Sequence, residues 1–215
     1  AYARGSAAVR GISFHRYVAE LAGTEGRLMP VPMMNVINGG RHADNPLDIQ
    51  EFMIVPRGPS FRESLRIGAE VFHRLKKILV ARKLSTGLGD EGGFAPMIES
   101  SRKALELLCE AAEKAGTKVG EDLVFALDVA ATELFRNGVY QLQTENGEAK
   151  TSDQLIDYYK KLTREFPIVS IEDGLAEEDW NGWVGMTKAL GSRIQLVGDD
   201  LFVTDSKLLK KGIDR

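Results

Sequence analysis

Hydrophobic residues recur along much of the chain at the spacing of amphipathic helices, with one apolar face per segment. Thr151 and Gln154 have the spacing of a capping box, which places the start of one helix at that point. The predicted helices cover residues 61–82, 101–115, 151–166, 180–190 and a final segment that begins near residue 204.

Short apolar runs lie between these helices and have the length and composition of buried strands. The runs are VPMMNVING, IQEFMIVP, VFALDVA, FPIVSIEDG and IQLVGDDLFV. Strands that alternate with amphipathic helices predict an α/β fold with a parallel sheet. The first two runs are separated only by GRHADNPLD, which is too short for a helical crossover, so we expect this pair to be antiparallel.

The first residues of the chain stand apart from this alternation, because residues 1–24 look helical throughout. We predict one domain over residues 1–27 and a β/α domain over residues 28–215. With 43% hydrophobic and 27% charged residues, the composition is that of a globular protein, and no apolar run approaches the length of a membrane span. A net charge of −3 argues against non-specific nucleic-acid binding, and Cys109 alone cannot form an intrachain disulfide or a cysteine metal cluster.

Acidic residues end three of the apolar runs. VFALD ends on Asp128, IVSIED on Glu172 and Asp173, and IQLVGDD on Asp199 and Asp200. In a β/α barrel, active sites lie at this carboxyl end of the strands. Converging carboxylates repel one another unless a cation neutralises them, and oxygen ligands without Cys or His select a hard cation such as Mg²⁺.

A structural explanation competes for each single acid, because Asp and Glu are common at strand ends and at helix N-caps. Three acids on consecutive β/α units favour a metal site over that explanation. Within each adjacent pair the two side chains point to opposite faces, so one of the two faces the barrel axis. The pattern does not say which one.

The loop GLGDEGGFAP contains the spacing G-x-G-x-x-G of phosphate-binding turns. A helix rather than a strand is predicted before it, and Pro96 prevents a helix from starting at Gly92. Asp90 and Glu91 would also place negative charge beside a phosphate. We therefore reject the phosphate interpretation and expect the glycines to allow unusual dihedrals and close approach to a ligand.

Five segments, in this order and at these separations, resemble the enolase family. They are MMNVINGGRHADNPLDIQEFMIVP, GDEGGFAP, ALDVAATE, PIVSIEDGLAEEDW and QLVGDDLFVT. The resemblance covers essentially the whole chain and implies an enolase-type, TIM-like β/α barrel. The chain would contain the first five strands, preceded by the helical end of a capping domain in residues 1–27. The details FVT and NPLDIQEF indicate a bacterial source.

The resemblance implies a lyase of glycolysis and gluconeogenesis that interconverts 2-phosphoglycerate and phosphoenolpyruvate through an enediolate, with Mg²⁺ as cofactor. It selects the first acid of each pair, so that Asp128, Glu172 and Asp199 would hold the catalytic Mg²⁺.

Residues of two loops would act on the substrate, again by resemblance. Glu91 matches the acid that protonates the departing hydroxyl, with Glu51 beside it, and His42 and Gln50 match residues that contact substrate together with Glu51. We hypothesise that like-charge repulsion between Glu51 and Glu91 raises the pKa of one of them.

Part of the family's catalytic set is missing from these residues. The resemblance places the lysine that acts as base on the strand after Arg215. Lys207, Lys210 and Lys211 cannot replace it, because they fall on the helix that follows the fifth strand. We therefore expect the 215-residue chain by itself to be inactive and to belong to a longer enzyme.

Two alternatives differ from enolase activity. The first is a non-catalytic, truncated enolase-like scaffold or binding protein, which would bind metal at best. The second is another Mg²⁺-dependent enolizing enzyme with a different carboxylate substrate, against which the loops GDEGGFAP and HADNPLDIQEF argue. The resemblance further implies a homodimer or higher homo-oligomer in the cytoplasm, with no nucleic acid or membrane as partner.

Overall fold

A computed structural model describes residues 1–144 and 147–215. The chain divides into two compact units, Ala1–Pro30 and Val31–Arg215. The assignment of the first segment to a capping domain, with a boundary at residue 27, stays a prediction.

The first unit consists of two short helices, α1 (Tyr2–Val9) and α2 (Phe14–Ala22). Helix α2 ends at Gly23, whose φ of 65° lies in the left-handed region that glycine adopts without strain. An exposed ion pair joins Arg10 to Glu20 at 2.6 Å.

The second unit contains the predicted alternation of strands and helices. Its elements in chain order are β1 (Met34–Asn38), β2 (Glu51–Pro56), α3 (Phe61–Ala81), α4 (Ser101–Lys114), β3 (Leu123–Asp128), β4 (Phe135–Arg136), β5 (Val139–Gln141), β6 (Ala149–Lys150), α5 (Ser152–Glu165), β7 (Ile168–Glu172), α6 (Trp180–Leu190), β8 (Gln195–Val197) and α7 (Ser206–Asp214). The capping box at Thr151 and Gln154 is present at the start of α5, as predicted. The last helix begins at Ser206, two residues after the predicted position.

Five strands form the main sheet in the order β1-β2-β3-β7-β8. The first two strands pair antiparallel, as the short connection predicted, and β3, β7 and β8 run parallel. In the register of the sheet, Asp128 is the Cα partner of both Glu51 and Glu172. Within the described residues the sheet does not close on itself, so the predicted α/β fold with an incomplete barrel is confirmed.

Side chains alternate between the two faces of this sheet. Phe52 and Ile54 of β2 belong to the large core under the helices, whereas Met53 and Val55 belong to a smaller apolar cluster on the opposite face. On β3 the smaller cluster contains Val124 and Ala126. Glu51 lies two residues before Met53 on β2, and Asp128 lies two residues after Ala126 on β3. Both acids therefore share the face of the smaller cluster.

A second, three-stranded antiparallel sheet formed by β4, β5 and β6 was not predicted from the sequence. Its strands have only two or three residues, too few to show an alternating pattern. The Asp48 carboxylate holds the segment just after β5, because it accepts the backbone N–H of Gln143 at 2.7 Å and of Thr144 at 2.9 Å. The small sheet therefore stands beside the loop that precedes β2.

Candidate active site at the carboxyl end of the sheet

Three carboxylates meet where β2 begins and where β3 and β7 end. Glu51, Asp128 and Glu172 are neighbours across three adjacent strands, and partners in register point to the same face of a sheet. Antiparallel β2 starts where parallel β3 and β7 stop, so all three acids reach the same rim. The topology thus converts acids that are distant in sequence into one acidic group.

Asp128 is the most perturbed of these carboxyls. Burial raises the pKa of Asp128 to about 7, and the charges of Glu172 and Glu51 add to that effect. One of its oxygens accepts the backbone N–H of Ala130 at 3.1 Å, which favours the charged form and opposes the shift. The other lies 3.4 Å from the side-chain amide nitrogen of Gln50.

Glu172 shows the same behaviour for the same reasons. Burial raises the pKa of Glu172 to about 7, with further contributions from the charges of Asp173, Asp199 and Glu51. Desolvation and like-charge repulsion therefore act together on neighbouring carboxyls. A hard divalent cation would relieve both effects at once, so the donor set fits Mg²⁺.

The third predicted ligand, Asp199, is placed differently. It lies on the loop after β8 and its side chain is exposed. In the described part of the chain, the carboxylate oxygens of Asp128, Glu172 and Asp199 do not all come within 4.8 Å of one another. Asp199 is close enough for its charge to raise the pKa of Glu172, so it belongs to the rim without converging on the other two.

The group that does converge to this distance consists of His42, Glu51 and Glu91. Nδ1 of His42 lies 3.3 Å from Oε1 of Glu51. The backbone N–H of Asp90 donates to the carbonyl of His42 at 3.1 Å, which joins the two loops that carry this group. The structure thus brings together the loop residues that the sequence separated by about forty positions.

Glu51 is the member of this group with a raised pKa. Burial is the largest cause, the charge of Glu91 adds to it, and the charge of His42 opposes it. The hypothesis of like-charge repulsion between Glu51 and Glu91 therefore identified a contributing cause and missed the larger one. Glu91 itself is exposed at the tip of its loop.

The glycines of the loop around Glu91 are needed for close packing against the chain itself. A Cβ on Gly89 would lie 2.4 Å from the carbonyl oxygen of His42, and one on Gly93 would lie 2.7 Å from Oδ1 of Asn38. Gly92 has a φ of 83°, a backbone conformation that residues other than glycine rarely adopt. The close approach that the structure shows is to the end of β1 and to the loop of His42, whereas close approach to a ligand stays a prediction.

Sequence reasoning missed the structural roles of Asn45, which holds the loops around His42 and Glu91, and of Asp173, which bonds the segment after β8. The Asn45 amide donates to the carbonyls of Asn38 at 2.9 Å and of Pro96 at 3.1 Å, so it joins its own loop to the end of β1 and to the loop that contains Glu91. The dipeptide Asn45-Pro46 is a turn signal, which was the available clue, but a turn gives no partner. Asp173 is 3% exposed and was indistinguishable from Glu172 in the sequence.

A cleft of about 260 Å³ lies beside the rim, between the loop before β2 and the small sheet. Gln50 and Ala130 line its inner side, and the ion pair between Arg41 and Glu133, at 2.6 Å, stands at its outer side. Gln50, whose amide nitrogen lies 3.4 Å from Asp128, connects the lining of this cleft to the carboxylates.

Comparison with known families agrees with this geometry. A family model described as the enolase C-terminal TIM-barrel domain matches residues 26–215. In the described part of the chain, each helix is too short or too polar to cross a lipid bilayer. The matched segment includes every strand named above and all the acidic residues of the rim and of the loop around Glu91. The chain therefore belongs to the family of enolase C-terminal TIM-barrel domains.

Proposed function

We propose that this chain carries the metal-binding and proton-donating part of an enolase, which dehydrates 2-phosphoglycerate reversibly to phosphoenolpyruvate. The observation that carries the proposal is the register of Glu51, Asp128 and Glu172, which gathers desolvated carboxylates at one rim. The resemblance extends the proposal to a homodimer in the cytoplasm.

Asp128, Glu172 and Asp199 are the residues that would hold Mg²⁺. The bound cation would act as a Lewis acid on the substrate carboxylate and stabilise the negative charge of the enediolate. The role of the sheet is to hold Asp128 and Glu172 in register, and Asp199 would join them from the loop after β8. The raised pKa values of Asp128 and Glu172 reflect the electrostatic free energy that a cation would recover.

The group formed by His42, Glu51 and Glu91 would supply the proton for the leaving hydroxyl. In the dehydration direction, a base removes the proton from C2, the electron pair moves to form the C2–C3 double bond, and the C3 hydroxyl leaves as water after protonation. Glu91 is exposed at the loop tip and donates that proton. Burial and the charge of Glu91 raise the pKa of Glu51, which lies next to Glu91 in this group.

His42 and Gln50 would orient the substrate. The Gln50 amide lies next to Asp128, which places a hydrogen-bond donor beside the metal carboxylates. Members of the enolase superfamily use a Lys or His base together with Mg²⁺. The resemblance places that base on the strand after Arg215, so the described residues would supply the opposite half of the reaction.

The test is Mg²⁺-dependent conversion of 2-phosphoglycerate by the natural full-length protein, followed by the ultraviolet absorbance of the product. We expect turnover that chelation abolishes and added Mg²⁺ restores. Glu172→Gln should lower turnover about a hundredfold or more, because Lewis-acid stabilisation is worth several kcal/mol. Glu178→Gln, an exposed acid outside the rim, is the matched control and should keep turnover.

The other outcomes separate the alternatives. Mg²⁺ binding without turnover of any carboxylate substrate would support the scaffold hypothesis. Turnover of a different 2-hydroxy acid, with none of 2-phosphoglycerate, would identify another enolizing enzyme. Equal turnover in Glu172→Gln and the natural protein would show that the metal assignment is wrong.

A further inference from the structure

Asp173 has a carboxylate that is occupied entirely by backbone groups. Its side chain is buried, and one oxygen accepts the N–H of Asp200 at 2.8 Å and the N–H of Asp199 at 3.3 Å. The other oxygen accepts the N–H of Leu201 at 3.3 Å. Three consecutive backbone N–H groups that converge on one anion form a concave anion site, here filled by the protein's own side chain.

The backbone of the same residue is bonded to two further loops. The N–H of Asp173 donates to the carbonyl of Val197 at 2.9 Å, and its carbonyl accepts the N–H of Ala131 at 2.9 Å. Its φ of 42° lies in the left-handed region, which non-glycine residues adopt only when the surroundings compensate for the strain. Residue 173 is therefore connected to the segments that follow β3 and β8, as well as to the end of β7.

These bonds define the path of the chain at Asp199. Strand β8 ends at Val197, and no strand in the described part of the chain pairs with the residues immediately after it. The carboxylate of Asp173 is the acceptor for the N–H groups of Asp199, Asp200 and Leu201, and the side chain of Leu201 packs in the main core. Because the carboxylate of Asp173 bonds all three, the backbone of Asp199 is held beside the end of β7, where Glu172 lies.

We propose that Asp173 is a positioning residue, which sets the place of Asp199 relative to Glu172 and so completes the cation site without touching the cation. The proposal rests on the proposed function, in which Glu172 and Asp199 are ligands. Asp173 is not one of the proposed cation ligands, because both of its carboxylate oxygens accept backbone N–H groups.

The chain offers a matched pair of substitutions. Asp173→Asn keeps the size of the side chain but turns one acceptor oxygen into a donor that faces an N–H group, so part of the network is lost. Asp173→Ala removes all three bonds. Asp200→Asn is the control, because it removes one negative charge from the same loop while the backbone network stays intact.

The experiment uses the natural full-length protein and two readouts. Isothermal calorimetry measures Mg²⁺ affinity, and hydrogen exchange without metal measures the amides of residues 199–201. We expect Asp173→Ala to weaken Mg²⁺ binding about 10–100-fold, the usual effect of removing a residue that orients a ligand. Asp173→Asn should fall in between, and Asp200→Asn should change affinity about twofold or less.

Exchange at residues 199–201 should accelerate in both Asp173 variants and stay unchanged in Asp200→Asn. Faster exchange with unchanged Mg²⁺ affinity would overturn the proposal, because the network would then hold the loop without serving the cation. Equal losses of affinity in Asp200→Asn and Asp173→Asn would also overturn it, in favour of a charge effect. Absence of Mg²⁺ binding in the natural protein would instead contradict the proposed function itself.

Discussion

Glu51 and Glu91 differ in exposure, and this difference separates the parts they can play in proton transfer. Glu51 is partly buried beside His42, and desolvation raises its pKa. Glu91 is exposed on a loop whose glycines pack against the His42 loop. A proton donor needs access to the substrate, so the exposure of Glu91 is consistent with the donor role proposed for it.

At the residue scale, we expect Glu91→Gln to lower the dehydration rate about 10²–10⁴-fold, the usual contribution of a general acid. Mg²⁺ affinity should stay within about twofold, since Glu91 is not among the proposed ligands. Steady-state kinetics and calorimetry on the same preparations measure both. Asp90→Asn is the control from the same loop and should keep the rate; a Glu91→Gln enzyme as fast as the control would show that another group donates the proton.

Helix α6 is positioned by a polar network around its N-cap residue, Asp179. Asp179 caps the helix through the N–H of Gly182 at 2.9 Å, and its other oxygen accepts the hydroxyls of Tyr140 at 2.8 Å and Ser152 at 2.6 Å. The Tyr140 hydroxyl in turn accepts the N–H of Ala176 at 3.0 Å. One carboxylate therefore joins α6 to β5 and to the first turn of α5.

At the element scale, we expect Asp179→Ala to lower the free energy of unfolding by about 3 kcal/mol. About 1 kcal/mol comes from the lost helix cap and the rest from hydroxyls left without an acceptor. Urea unfolding of the natural protein, followed by circular dichroism, gives the change in midpoint. Glu178→Ala, an exposed neighbour, should change stability by no more than about 0.5 kcal/mol. Similar midpoints for the two variants would mean that the network adds little.

At the scale of the whole molecule, the acidic rim opposes folding in the absence of a cation. The folded state raises the pKa of Asp128 from 3.8 to about 7, so between these values the folded protein binds more protons than the unfolded chain. Stability attributable to this group is therefore greatest at low pH, decreases as the pH rises through this range, and stays at its minimum above about 7.

We accordingly expect Asp128→Asn to be more stable than the natural protein when both are measured in chelator at about pH 8. The Tm should be higher by at least about 2 °C, and this difference should disappear towards about pH 5. The Asn side chain can still accept the N–H of Ala130. Saturating Mg²⁺ should reverse the order, since only the natural protein gains binding free energy. Thermal unfolding measures both effects, and Glu99→Gln is the control at an exposed position. If the natural protein were more stable than Asp128→Asn in chelator at high pH, the electrostatic argument would be wrong.

Local patterns in the sequence were sufficient for the helices, the strand runs and the acids that end them. Helix α3 occupies Phe61–Ala81 against a predicted 61–82, and the capping box starts α5 as expected. Such features depend on side chains a few residues apart, whose spacing the chain itself determines. The resemblance to a family was equally available, because its motifs are contiguous.

The tertiary structure alone decided which acids meet and what surrounds them. The register that aligns Glu51 with Asp128 and Glu172 depends on pairing between distant strands. Burial as the main cause of the raised pKa of Glu51, and the turn that directs Asp173 to the backbone of residues 199–201, depend on loops brought together by folding. Desolvation and hydrogen-bond partners are properties of these long-range contacts, so no local pattern could have specified them.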